Sequence, residues 1–231
     1  MPCGSTIFTS LMNAGGGKSF RPPTFAPGSL IAAALLAISL AAADPAAAAG
    51  VRALPSTVEV HGTLPTVRPE YPVPNDPDQL FFLQRSTNSN TVVYKARFLP
   101  DGRLDPARPI EAYWRRFNTS GEKKALGFLE NRFAFGVRTQ PVPGQDAYEV
   151  RFVAFPDRKA LLVQQEPGKA TITFKAGQRE LALAYGYVDV DQSGVIDEVV
   201  QVRVFGHDKA TGQPVSEIVP VSGGKIGLGG G

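Results

Sequence analysis

After residue 78, apolar and polar residues alternate with a period of two through most of the chain. Val92, Tyr94, Ala96 and Phe98 share one face, with Lys95 and Arg97 on the other. Ile110, Ala112 and Trp114 repeat the pattern against Glu111 and Arg115, and Tyr148, Val150, Phe152 and Ala154 repeat it against Glu149 and Arg151. Val200, Val202 and Val204 alternate with Gln201 and Arg203. Each run predicts a strand with one buried face. Residues 80–84, 133–137, 160–164, 170–175, 181–190 and 216–219 are further strand candidates. The breaks carry turn chemistry: Asn88-Ser89-Asn90, Pro100-Asp101-Gly102, Pro143-Gly144, Pro156-Asp157, Pro167-Gly168 and Ala176-Gly177. Many short strands joined by tight turns predict an all-β fold, an antiparallel sandwich or barrel of about nine or ten strands.

One segment departs from that period. Thr119-Ser120-Gly121-Glu122 has the spacing of a capping box, and Ala125, Phe128 and Leu129 then recur at i, i+3 and i+4. The spacing predicts one short α-helix over about residues 122–131, its apolar face laid over a sheet edge or an open end of the barrel.

The N-terminal part follows a different logic. An uninterrupted apolar run of 14 residues, 30–43, is preceded by Lys18 and Arg21 and ended by Asp44-Pro45. A spanning helix needs about 20 apolar residues, so basic-apolar-small reads as a signal peptide over residues 1–49 rather than an anchor. Small-x-small sites place cleavage after Ala43 or Ala49, and a start at Met12 would give the leader a more ordinary length. The expected location is outside the cytoplasm, periplasmic or extracellular, with no transmembrane segment left after cleavage. Residues 50–78 hold Pro55, Pro65, Pro69, Pro72, Pro74 and Pro77. They read as a proline-rich, extended linker with at most a short strand near 57–61. The folded domain is expected at 79–220, followed by a glycine-rich tail at 221–231.

Composition narrows the chemistry. Cleavage after Ala49 leaves 231 − 49 = 182 residues, enough for one domain with a sizeable core. With Lys18, Arg21 and Asp44 gone, the mature charge is (24 − 2) − (21 − 1) = +2. That near balance calls for neither a nucleic acid nor an anionic membrane as partner. The single cysteine, Cys3, lies in the leader, so the mature domain has no disulfide, thiolate metal site or cysteine nucleophile.

Several of these residues together resemble an uncharacterised family of exported bacterial domains. They are Leu80-Phe81-Phe82-Leu83-Gln84-Arg85-Ser86, Asn88-Ser89-Asn90-Thr91-Val92-Val93-Tyr94, and Pro109-Ile110 with Tyr113-Trp114. Phe135-Gly136, Val204-Phe205-Gly206 and Glu217 extend the match over roughly residues 78–220. The resemblance implies an exported, mostly β domain, and it brings no substrate, cofactor or catalytic residue.

The richest local chemistry is Asp189-Val190-Asp191-Gln192-Ser193-Gly194-Val195-Ile196-Asp197-Glu198. Asp189, Asp191, Ser193 and Asp197 fall at positions 1, 3, 5 and 9 of a calcium loop, with glycine at 6. Position 12 is Val200, where a bidentate Glu belongs, and the flanks read as strands. A plain hairpin turn is therefore favoured over a Ca²⁺ site. His61 and His207, the only histidines, come with no nucleophile motif such as Gly-x-Ser-x-Gly. Arg85, Arg115 and Arg116 are suited to clamping an anion, but solvated or ion-paired strand ends are the simpler reading. The function this supports is a non-catalytic binding or structural module of the envelope, its partner a small molecule or an envelope protein. A closed barrel would hold a small apolar ligand among Phe82, Tyr94, Trp114 and Phe152. The alternative is an envelope hydrolase using carboxylates within 189–198, with or without Ca²⁺.

Overall fold

The structure is a computed structural model and describes residues 52–53, 56–194 and 198–222. Among these residues, thirteen strands and one helix follow in chain order. The first six strands are β1 (Arg52–Ala53), β2 (Thr57–Val60), β3 (Gln79–Arg85), β4 (Asn88–Ala96), β5 (Ile110–Arg116) and β6 (Glu122–Ala125). Helix α1 (Phe128–Phe133) comes next. Then come β7 (Val137–Pro141), β8 (Ala147–Phe152), β9 (Phe155–Glu166), β10 (Lys169–Ala176), β11 (Arg179–Asp191), β12 (Glu198–Asp208) and β13 (Pro214–Ser222). The all-β class with one short helix holds, with thirteen strands where the turn count predicted nine or ten.

The long strand β11 organises the sheet. One of its edges pairs with β12 from Leu181 to Asp191. The other edge is shared: Arg179–Ala182 pair antiparallel with β10, and Tyr185–Val188 pair with β3. Two wings diverge from that edge, β3-β4-β5-β6 and β10-β9-β8-β7. The resulting nine-strand sheet curls into a half-barrel. The β3–β11 pairing is parallel, which corrects the expectation of a purely antiparallel sheet. Strand β3 enters from the proline-rich segment rather than from a tight hairpin, so its direction is not forced by its neighbour in sequence. Beyond β12 the sheet continues through β13 to β2 and β1.

Two apolar layers result. Phe81, Val92, Tyr94, Trp114, Val150, Leu162 and Ile172 belong to the large core inside the curl. Phe82, Val93, Tyr113, Tyr185, Tyr187 and Phe205 form a second cluster. Successive strand residues face opposite sides, so Phe81 and Phe82 enter different layers. Strands expected to bury one face thus bury both. The second layer is covered by the proline-rich segment: Leu64 and Val67 pack on it, and Pro65 C=O accepts from the Tyr185 hydroxyl. The Arg115 guanidinium grips Asp76 through both carboxylate oxygens, its Nε donating at 2.8 Å.

The helix is the main correction. Residues 122–125 form edge strand β6, paired with β5. Thr119 lies in the preceding turn, its hydroxyl donating to Arg116 C=O at 3.1 Å. The helix begins after Gly127, whose N–H donates to the Glu130 carboxylate at 2.7 Å, the reciprocal half of a capping box shifted along the chain. Phe133, predicted to open a strand, closes α1 instead, and β7 starts at Val137. Two other breaks also move. The β3–β4 turn uses Ser86-Thr87, and the β8–β9 turn uses Val153-Ala154, leaving Pro156-Asp157 inside β9.

Candidate functional site

The two wings and β11–β13 leave a partly open pocket between them. A cavity of about 130 Å³ remains inside the curl, its wall drawn from Phe81, Tyr94, Phe152, Phe174, Val204 and Val219, among others. Packed interiors seldom leave voids larger than a water molecule. A dry, apolar cavity of comparable size, about 150 Å³, is known to take up benzene. The aromatic wall is ordered by ring packing. Phe81 stacks on Tyr94 with centroids 4.3 Å apart and planes 6° from parallel. Phe152 meets both rings edge-on, at 5.7 and 6.1 Å. The Tyr94 hydroxyl donates to Phe135 C=O at 2.9 Å, and burial raises its pKa above the ordinary phenol value. The hydroxyl stays neutral and satisfied, and the wall remains apolar.

The one charged side chain in the wall is Arg158. It lies over the Phe174 ring, 5.0 Å from the centroid, and donates to Glu217. Glu217 has no exposed surface, and Ser56 Oγ donates to its second oxygen at 2.5 Å. Strand parity explains the carboxylate. Val215, Glu217, Val219 and Val221 share one buried face of β13, so Glu217 points inward with the valines. A buried carboxylate needs a cation and further donors, and Arg158 and Ser56 supply them. Arg158 comes from β9 and Glu217 from β13, strands with no hydrogen-bonded pairing to each other. The ion pair therefore closes a side-chain seam where the half-barrel has no backbone ladder.

Of the four aromatics expected around a ligand, the cavity uses Tyr94 and Phe152. Phe82 belongs to the second cluster. Trp114 packs edge-on against Phe135 at 5.0 Å, beneath Arg85. Arg85 is thus a buried cation stacked on Trp114 at 4.8 Å, where a strand-end charge was expected. Sequence reasoning missed Arg158 and read Glu217 only as part of a family pattern. The signal available was a carboxylate in phase with buried valines.

The acidic hairpin is arranged differently. The Arg203 guanidinium donates twice to Asp189 Oδ2, at 2.9 and 3.2 Å, and Gln201 Nε2 donates to the same oxygen at 3.1 Å. Asp191 accepts the Ser193 N–H at 2.8 Å, as in an Asx turn, which lowers its pKa. Asp197 lies outside the described residues. Among the described residues, no group of three or more His, Cys, Asp or Glu side chains is placed to hold a metal. His207 is exposed on β12. His61 Nε2 lies 2.7 Å from the Ser216 hydroxyl, and its backbone N–H donates to Pro214 C=O at 2.9 Å. Ser216 is only 3% exposed. This pair fastens the segment after β2 to β13.

Residues 81–218 match the family model described as domain of unknown function DUF4833. The chain belongs to the DUF4833 family. The match starts at Phe81 of the cavity wall and ends one residue past Glu217, so the DUF4833 region contains Arg158 and Glu217 but not Ser56. No curated protein and no solved structure matches the chain. Two glycines of the pattern noted in the sequence have structural explanations in this DUF4833 domain. A Cβ on Gly136 would lie 1.8 Å from Asn131 C=O, and one on Gly206 would lie 2.3 Å from Ala182 C=O. Among the described residues, no helix is long and apolar enough to cross a membrane.

Proposed function

We propose that this DUF4833 domain is an exported, non-catalytic module that holds a small apolar ligand, or the apolar end of a larger one, inside the half-barrel. The observation that carries the reading is the cavity of about 130 Å³, walled by aromatic and aliphatic side chains with Arg158 alone bringing charge. Such a surface recognises hydrocarbon by shape and desolvation, and the Arg158–Glu217 pair keeps one side polar. Export rests on the leader of residues 1–49.

Native mass spectrometry of protein purified from its own cells tests both parts. The expected spectrum shows a mature mass cut after Ala43 or Ala49, with an apolar small molecule retained. Ala154→Phe, which fills the cavity from its wall, is expected to lose the adduct and keep its melting temperature. An uncut mass would overturn export. A ligand-free wild type that also fails to take up an apolar fluorescent probe would overturn the binding reading.

A further inference from the structure

Six large hydrophobic side chains stand exposed among the described residues, and three of them lie on the six residues of α1. Phe128 is 75% exposed, Leu129 66% and Phe133 43%. The apolar positions predicted to cover the sheet therefore point outward. At roughly 100° per residue these three fall within one sector of about 140°, and Arg132 projects from the same sector. The helix is fixed at its root rather than loose. Ala134 and Phe135 are buried directly behind it, and both donate their N–H groups to Glu130 C=O. Phe135 packs on Trp114, and Gly136 closes the turn against Asn131. The chain thus holds three bare hydrophobic side chains on a rigid base.

The surroundings of the patch are cationic. Residues 122–138 hold Lys123, Lys124, Arg132 and Arg138 against Glu122 and Glu130; with Glu111, which pairs with Lys123 at 3.0 Å, the net charge is 4 − 3 = +1. The Glu130 carboxylate is already engaged by the Gly127 N–H. Size separates the possible occupants. Six helical residues span only about 9 Å, too short a segment to supply by itself the roughly 800 Å² per partner of a stable protein interface. A bilayer surface requires only a few aromatic and aliphatic side chains at acyl depth with cations at headgroup level. Arg132 can lay its aliphatic stem along the apolar sector and raise its guanidinium to the headgroups. Ala134, the residue after α1, lines the apolar cavity, so the patch lies beside the proposed ligand site.

We infer that α1 is a membrane-docking element: Phe128, Leu129 and Phe133 enter the interface of a bilayer bearing anionic headgroups, and Lys124 and Arg132 contact those headgroups. The inference rests on the exposed patch and stands whether or not the cavity holds a ligand.

Co-sedimentation of the full chain with vesicles tests it, using pure phosphatidylcholine and phosphatidylcholine with phosphatidylglycerol. The expected result is binding to the anionic vesicles. Phe128→Ser with Leu129→Ser should weaken it at least about tenfold, the factor that burial of one such side chain contributes. Lys124→Glu with Arg132→Glu should remove the preference for anionic lipid. All four side chains are exposed, so the circular dichroism and melting temperature of each variant should match wild type. Wild type and variants share the same N-terminal residues, so a difference between them belongs to α1. Uptake of an apolar probe into the cavity should be unchanged in the serine variant, which separates docking from ligand binding. Equal binding by wild type and serine variant, or no binding at all, overturns the inference. So does a wild-type dimer in sedimentation equilibrium that the serine variant abolishes, because the patch would then face a second copy.

Discussion

A single carboxylate, Glu217, shows how a residue's surroundings become a constraint on the whole domain. Its neighbours Val215 and Val219 are buried, and the period of two carries Glu217 inward with them. Its charge is tolerated because Arg158 and Ser56 meet it. The two halves of the pair are not equivalent. Arg158 keeps 28% of its side chain exposed, while Glu217 keeps none. Arg158→Met should therefore be the worse lesion, costing about 3–5 kcal/mol in urea unfolding by leaving a buried charge alone. Glu217→Gln should cost less, about 1–2 kcal/mol, because the freed guanidinium can reach water. The double variant Arg158→Met/Glu217→Gln should recover most of the loss of Arg158→Met, and a simple sum of the two single losses would refute the coupling. The inward carboxylate was legible in the alternating pattern of β13. Its partner was not, since Arg158 lies 59 residues away and follows Pro156-Asp157, which reads as a turn. Asp189 teaches the complementary lesson. Its spacing within 189–197 fits a calcium loop, but its carboxylate is occupied by Arg203 from the facing strand, and no local pattern announces that.

At the scale of elements, the strands were largely legible and their edges were not. Alternation placed β4, β5, β8 and β12 correctly because each presents an apolar face to the core. In β12 a register shift opposite Asp189 and Val190 changes the phase. It buries Val199 at 2% and leaves Val200 45% exposed, where simple alternation put Val200 inside. Helix α1 shows how local signals mislead. Thr119 and Glu122 have the spacing of a cap, but residues 122–125 gain more from completing the edge of β5 than from a first helical turn. The helix then forms where Glu130 can accept from Gly127, and Gly136 ends it. Gly136→Ala should force a shift of the backbone at Asn131. The expected result is a loss of about 2 kcal/mol or more in urea unfolding, with faster amide exchange at Ala134 and Phe135. Unchanged exchange at those two amides would mean that the α1 base is not held as described.

Across the whole molecule, the proline-rich segment is the piece whose role depends most on context. It packs Leu64 and Val67 over the outer aromatic cluster and ties itself to β5 through Asp76 and Arg115. The hydrogen bonds from Arg115 hold the Asp76 carboxyl below its ordinary pKa, with the charge of the guanidinium adding to the effect. A carboxyl depressed in the folded state contributes stability above its unfolded pKa and loses that contribution as pH falls through the folded one. The melting temperature should therefore hold from neutral pH down to about 4 and fall below it. In Asp76→Asn the neutral-pH value should already be lower and the acid-side fall shallower; an unchanged acid limb would show that other carboxylates govern it. Residue pattern alone was enough for the turn-rich all-β class and for the positions of β4, β5, β8 and β12, because these depend on the pleat and on residues a few places apart. The parallel β3–β11 pairing, the second apolar layer, the cavity with Arg158 at its wall and the outward face of α1 emerge only in the folded chain. Each of those depends on which distant segments meet across β11, and a period of two carries no information about that.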